Sequence, residues 1–351
     1  MKFSSFERKL AEKIEPELLH ASPGLQIQAF QAGRKWVDIS LGRHYPYYDL
    51  ASLTKIIFTT QAALWAFQNG AWSLESRISD FLTWFPDPNT RVLQLLNHSS
   101  GLPWRLPAHE TMGPEDWHER LPEIIRTYSL QSSSESVYSD VGFWVLGFIL
   151  EKLYDKDLLE IWHEIQELFY PRLSFEFHPG NHALYPVEQY APTERCLRRG
   201  QLQGQVHDDN AYAFGGVATH AGLFGSIDDV SWFGLFLRGQ LQGISKTLIK
   251  QKTAQLFATR SRPPGAGDWA LGYMMPTQGR SSSGDFFSPY SIGHTGFTGT
   301  SFWYDSIQDL MVVILSNRVA FGRENENFKK LRPRIHNWIV EGLRRGSFSF
   351  D

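Results

Sequence analysis

Phe3, Phe6, Leu10 and Ile14 recur at helical spacing among charged residues, so the chain opens with an amphipathic helix packed on the protein body. Gly24 to Phe30 and Lys35 to Leu41 then read as two strands joined through Ala32-Gly33-Arg34, a hairpin. From Ser52 the pattern turns helical and apolar through Phe67, and Asn69-Gly70 closes it as a C-cap pair. Trp72 to Phe85 reads as a short polar helix, and Val92 to Leu102 as a helix running into a glycine-terminated loop. Residues 103–136 are polar and carry no strong period, which predicts loops and short helices.

Val141 to Tyr154 and Leu158 to Phe169 follow as two apolar helices. Residues 171–199 are irregular, and 204–225 form a segment rich in glycine and histidine. Asp228 to Leu241 reads as a helix capped by Ser226 or Asp228. A Pro/Gly loop at 260–267 precedes three strand candidates, Trp269 to Met275, Phe297 to Trp303 and Leu310 to Leu315, and Phe328 to Leu343 closes the chain as a helix. There is no fixed-period repeat and no low-complexity linker. Strands at both ends with helices between them predict one sheet built from the two ends and a helical insertion. The expected organisation is a single domain, 1–351, with a sheet lobe from about 1–50 and 204–351 and a helical lobe from about 51–203.

Composition narrows the function classes. With 351 residues, 42% hydrophobic and 20% charged, the chain has ample material for a buried core. A net charge of -3 argues against nucleic acid or an anionic membrane as partner. The single cysteine, Cys196, excludes an internal disulfide. Charged residues interrupt Met1 to Leu19, which does not read as a signal peptide, and Val141 to Leu150 is too short to span a bilayer. The expectation is a cytoplasmic protein, or a periplasmic one if a leader has been removed.

Candidate chemistry begins at Ser52-Leu53-Thr54-Lys55. A lysine three residues after a serine at a helix start lies on the same face, and a lysine with a lowered pKa can take the proton of a serine hydroxyl. Alone, the spacing fits a helix-capping serine beside a solvated lysine equally well. Two further motifs follow in order, Tyr138-Ser139-Asp140 and His294-Thr295-Gly296.

The three together, with Leu95 to Leu102 and Gly293 to Thr300, resemble the serine β-lactamase and penicillin-binding-protein superfamily, in its class C β-lactamase, DD-carboxypeptidase and esterase branch. The resemblance implies an α+β fold (an α/β sandwich) with an antiparallel sheet flanked by helices and a mostly helical subdomain. It implies a serine hydrolase that forms an acyl-enzyme on Ser52, with Lys55 sharing or relaying its proton. Tyr138 is implied as general base, its phenol pKa lowered by Lys55, and later as proton donor to the leaving group; the sequence does not say which of Lys55 and Tyr138 holds the proton at each step. Asp140, His294, Thr295, Gly296 and Phe297 become the oxyanion and substrate-binding set. In it the backbone N–H groups of Ser52 and Phe297 form the oxyanion hole, Gly296 lets substrate approach, and the strand after His294-Thr295-Gly296 runs along the pocket.

Two positions depart from the pattern. His294 stands where the family's usual motif has lysine, exchanging a permanent charge for a titratable one, and Asp140 stands where it has asparagine. Both weaken recognition of a β-lactam or a free C-terminal carboxylate. The expected substrate is a small ester or a D-amino-acid-containing peptide such as a peptidoglycan fragment. The competing expectation is a binding module that keeps the fold without turnover. His207-Asp208-Asp209 and His220 lack tight metal-ligand spacing, and Gly215-Gly216 and Gly222 lack the ending of a phosphate loop, so neither metal nor cofactor is expected. His98 reads as a turn cap and Cys196 as an inert thiol.

Overall fold

A computed structural model of the chain describes residues 3–128, 130, 135–244 and 248–345. Nine strands occur among them: β1 (Gly24–Gln31), β2 (Arg34–Gly42), β3 (Tyr48–Asp49), β4 (Arg195–Cys196), β5 (Gly200–Gln201), β6 (Phe224–Gly225), β7 (Ile292–Thr295), β8 (Ser301–Asp305) and β9 (Leu310–Ser316). Five form the main sheet in the order β2-β1-β9-β8-β7, every neighbour antiparallel, while β3 pairs with β6 and β4 with β5.

The sequence of β9, Leu-Met-Val-Val-Ile-Leu-Ser, is apolar throughout because both faces of the sheet are covered. Leu310, Val312 and Ile314 join a core with Leu10 and Ile14 of helix α1 (Ser5–Ala21) and with Leu331, Ile335 and Ile339 of the closing helix, α10 (Asn327–Arg344). Met311, Val313 and Leu315 point the other way, as the period of two requires, into the larger core. That face is covered by α8 (Ile227–Gln242). A Cβ on its Gly234 would come within 2.1 Å of the Met311 sulfur, so glycine sets this helix–sheet spacing.

The remaining helices are α2 (Thr60–Gln68), α3 (Val92–Leu96), α4 (Trp117–Arg126), α5 (Asp140–Tyr154), α6 (Leu158–Phe169), α7 (Asp209–Ala213) and α9 (Gln251–Phe257). α5 is buried along Val141–Leu150, which explains its unbroken apolar sequence. Its start is set by Ser139, whose hydroxyl accepts from the Gly142 N–H at 2.9 Å. Capping boxes at Asp157/Glu160 and Ser226/Asp229 start α6 and α8. No helix among the described residues is long and apolar enough to cross a membrane.

α3 runs into a loop ending at Gly101, as expected. Three expectations are corrected. Trp72 to Phe85 holds only a single turn at Ile78–Asp80, not a helix. Trp269 to Met275 contributes only isolated bridges, Trp269 to Met274 and Met274 to Gly293. The Phe297 to Trp303 strand begins at Ser301, because 296–300 is the turn joining β7 to β8. His294 and Thr295 thus lie on the sheet edge itself rather than before a strand. Residues 103–136 hold α4 between loops; 129 and 131–134 lie outside the described residues.

Candidate active site

The loop that presents Ser52 is held from three sides. β3 anchors it to β6, and the buried Asp49 carboxylate accepts from the Ala51 N–H at 2.8 Å and the His207 N–H at 2.7 Å. Thr298 and Thr300 donate to the Asp49 and Leu50 carbonyls at 2.8 and 3.0 Å. The loop turns sharply enough to put Ala51 at φ 47, a left-handed conformation that costs a non-glycine residue about 1–2 kcal/mol. The helix starts after Ser52, and a π-turn over Lys55–Thr59 leads into α2.

Lys55 is fully buried, and its ammonium nitrogen meets three acceptors: Asp140 Oδ1 at 2.7 Å, the His220 carbonyl at 2.9 Å and Ser52 Oγ at 3.3 Å. Burial pulls its pKa below the ordinary lysine value, while Asp140 and the more distant Asp208 oppose that pull. A neutral lysine has two N–H groups, which the two shorter contacts take, and its lone pair then faces the serine hydroxyl. The expected direction of the shift holds, and burial is what drives it.

Tyr138 sits on the loop before α5. That loop is fixed by the Ser139 N–H to His98 Nδ1 at 3.1 Å, the Asp140 N–H to the Trp104 carbonyl at 2.9 Å, and the Ser139 hydroxyl to the Pro103 carbonyl at 2.7 Å. The phenol donates to Ser52 Oγ at 2.9 Å, and its ring packs against both His98 and Trp269. The sequence expectation that Lys55 lowers its pKa is overturned. Burial and the Asp140 carboxylate push the phenol well above its usual range, which suits proton donation to a leaving group.

His294 Nδ1 lies 2.9 Å from the Thr295 carbonyl, which can only accept, so the proton is on Nδ1 and Nε2 is a buried lone pair. Burial, followed by Lys55 and Arg332, takes its pKa down to about 3. The titratable charge expected at this position is therefore absent near neutral pH. Thr295 pairs with Ser301 across β7 and β8. A Cβ on Gly296 would lie 2.0 Å from Thr300 Oγ1 and 2.6 Å from the Leu50 carbonyl. This glycine is needed for the turn to pack on the Ser52 loop. Phe297 occupies the same turn with a partly exposed ring stacked on His207.

A family model described as Beta-lactamase matches residues 10–332. The chain belongs to the β-lactamase family. The N-acetylmuramyl-L-alanine amidase of Bacillus subtilis (strain 168) is 31% identical over 367 aligned positions, spanning 89% of this chain and 80% of that protein. An Escherichia coli (strain K12) protein, provisionally named a D-alanyl-D-alanine carboxypeptidase, is 30% identical over 341 positions and 84% of this chain, and 76% of its own length is matched. Among solved structures, EstCE1, described as a hydrolase with promiscuous acyltransferase activity, superposes with a TM-score of 0.68 at 18% identity over 94% of this chain and 100% of that one. A class C β-lactamase from Rhodobacter sphaeroides gives 0.68 at 18% identity over 97% and 100%. The fold is the α+β fold of this family, and the protein is a serine hydrolase of the superfamily.

Sequence reasoning missed part of this β-lactamase-family site. The Trp144 indole N–H can only donate, and it points at His220 Nδ1 at 2.9 Å, so His220 carries its proton on Nε2 and directs it to Asp208 Oδ1 at 3.0 Å. This chain fixes the His220 carbonyl that holds Lys55. Asp208 is held far below the carboxylate range: His220, the Ala211 N–H and Arg105 outweigh its burial, the largest single influence. The signal was the His207 to Ala211 segment and the glycine-rich run after it, which resemble a subgroup of these hydrolases and read better as loop hydrogen bonding near the serine than as a metal site. His207 does not join His220; it lies 3.3 Å from Glu194 and stacks on Phe297. Asp49 carried no signal beyond standing three residues before Ser52.

Proposed function

We propose that this chain is a Ser52 acyl-enzyme hydrolase that cleaves amide bonds in peptidoglycan-derived fragments, with the N-acetylmuramyl–L-alanine bond as its preferred target. The observation that carries the reading is Ser52 Oγ at 2.9 Å from the Tyr138 hydroxyl and 3.3 Å from the Lys55 nitrogen. Neutral Lys55 takes the serine proton as Oγ bonds to the acyl carbon. The N–H groups of Ser52 and Phe297 receive the developing oxyanion, a contribution of roughly 3 kcal/mol per donor. The Tyr138 phenol protonates the leaving nitrogen as the C–N bond breaks, and Lys55 returns the proton to Tyr138. Water then opens the acyl ester by the reverse route.

Two features support an internal amide over a free C-terminal carboxylate. His294 is neutral, so the position that is lysine in the usual motif offers no ion pair. The Bacillus subtilis relative bears the name of an amidase at this bond.

The test is intact mass after fluorophosphonate treatment, alongside turnover of N-acetylmuramyl-L-alanyl-D-isoglutamine and of a peptide ending in D-alanyl-D-alanine. A single adduct absent from Ser52→Ala, with release of N-acetylmuramic acid, is expected. Release of D-alanine alone overturns the amidase assignment in favour of a carboxypeptidase. No adduct and no turnover leave a binding module.

A further inference from the structure

The 296–300 turn is gripped from behind by two arginines. Arg318, 1% exposed, donates through Nε to the Phe297 carbonyl at 2.9 Å and through Nη1 to the Asn325 carbonyl at 2.7 Å. Its guanidinium lies over the Phe297 ring, 4.8 Å from the centroid. Arg332 of α10, 7% exposed, donates to the Thr300 carbonyl at 3.3 Å. That same carbonyl accepts from the Gly296 N–H at 2.8 Å. Both guanidiniums thus bond to the two ends of the segment that carries Phe297.

Neither forms an ion pair with a carboxylate among the described residues. Arg318 Nη2 and Arg332 Nε are buried without a hydrogen-bond partner. Arg199, Arg238 and Arg323, also near the surface of the core, each sit on a carboxylate at 2.5 to 2.8 Å. Glu326 and Glu324 offset part of the burial cost at Arg318 from a distance, whereas the neighbouring charge at Arg332 is Arg318 itself. A buried cation with no hydrogen-bonded carboxylate is strongly unfavourable and points to a compensating use. Arg332 still holds its proton at neutral pH, since burial and Arg318 bring it down only to about 10.

We propose that Arg318 and Arg332 are positioning residues for acyl transfer, clamping the 296–300 turn against the Ser52 loop and placing behind it the permanent positive charge that His294 does not supply. The proposal rests on the acyl-enzyme reading above. In a poorly solvated turn, a fixed cation favours the oxyanion over the neutral carbonyl, so its effect falls on the transition state more than on substrate binding.

The experiment compares Gln and Lys replacements at each arginine, using steady-state hydrolysis of an uncharged p-nitrophenyl ester and thermal unfolding. For Arg332→Gln we expect kcat to fall about tenfold or more with KM little changed, and for Arg332→Lys a return to within about threefold of the parent. Arg318→Gln and Arg318→Lys should show the same split, and they decide the matter if an Arg332 variant does not fold. Parent-like rates in the Gln variants overturn the proposal, as do folded Lys variants as slow as the Gln ones. A parent protein that neither turns over the ester nor accepts the fluorophosphonate at Ser52 overturns the acyl-enzyme reading itself, and this proposal with it.

Discussion

Lys55 Nζ lies 2.7 Å from Asp140 Oδ1, with the lysine side chain fully buried and the carboxylate 16% exposed. The two influences on Lys55 oppose each other: burial favours the neutral amine, and Asp140 favours the ammonium. Asp140→Asn removes the second and leaves the first. The acid limb of the pH–rate profile, where activity is lost as Lys55 takes up a proton, should therefore move to lower pH. A limb that stays in place would show that another group sets it.

Tyr138→Phe keeps the ring stacked on Trp269 and beside His98 but removes the donor to Ser52. Turnover of an amide should fall about 10²–10⁴-fold, the usual range for a general acid. An activated ester, whose leaving group needs no proton, should lose much less. Equal losses on the two substrates would place Tyr138 outside leaving-group protonation.

Burial lowers the pKa of His98, His294 and His336 in the folded chain, to about 3 for His294 and about 4 for His336. Below pH 6.5 the unfolded chain binds protons that the folded chain refuses, so stability is full above that pH and declines as pH falls towards the folded values. Each such group adds up to about 1.4 kcal/mol per pH unit to the slope. Asp49, pushed up by burial, works in the opposite sense at the acid end. His336 packs on Phe287. His336→Phe should flatten the decline between pH 6.5 and 4.5 in denaturant titrations. An unchanged slope would mean that His336 is protonated in the folded protein.

Gly296→Ala drives a methyl group into Thr300 Oγ1 and the Leu50 carbonyl. Overpacking of this kind costs about 1–3 kcal/mol, and here the strain falls on the contact between the turn and the Ser52 loop. Urea titration should show that loss, and kcat should drop more steeply than stability. A variant destabilised without loss of kcat would separate the packing from the chemistry.

Much of the site was readable because its chemistry is written in short motifs. Ser52, Lys55, Tyr138 and His294 each stand in a local pattern, α5 and α6 show as apolar runs, and α8 announces itself through Ser226 at its start. β7 was not readable: Ile-Gly-His-Thr has one large apolar residue and is a strand only because β8 pairs with it. The direction of the Tyr138 pKa shift was not readable because it depends on burial and on Asp140, neither of which lies in the spacing to Lys55. Arg318 and Arg332 look in the sequence like any solvated arginine; only packing against the turn distinguishes them.

β1, near one end of the chain, hydrogen-bonds along its length with β9, near the other, and the Ser52 loop is tied to Thr298 and Thr300. The serine loop therefore cannot take its working shape until Thr298 and Thr300, 249 and 250 residues after the carbonyls they hold, have been synthesised. The helical body, rich in local contacts, can collapse early, whereas closing the sheet must wait for partners distant in sequence, a step expected to be slow. The emerging chain then stays chemically silent until those threonines have left the ribosome.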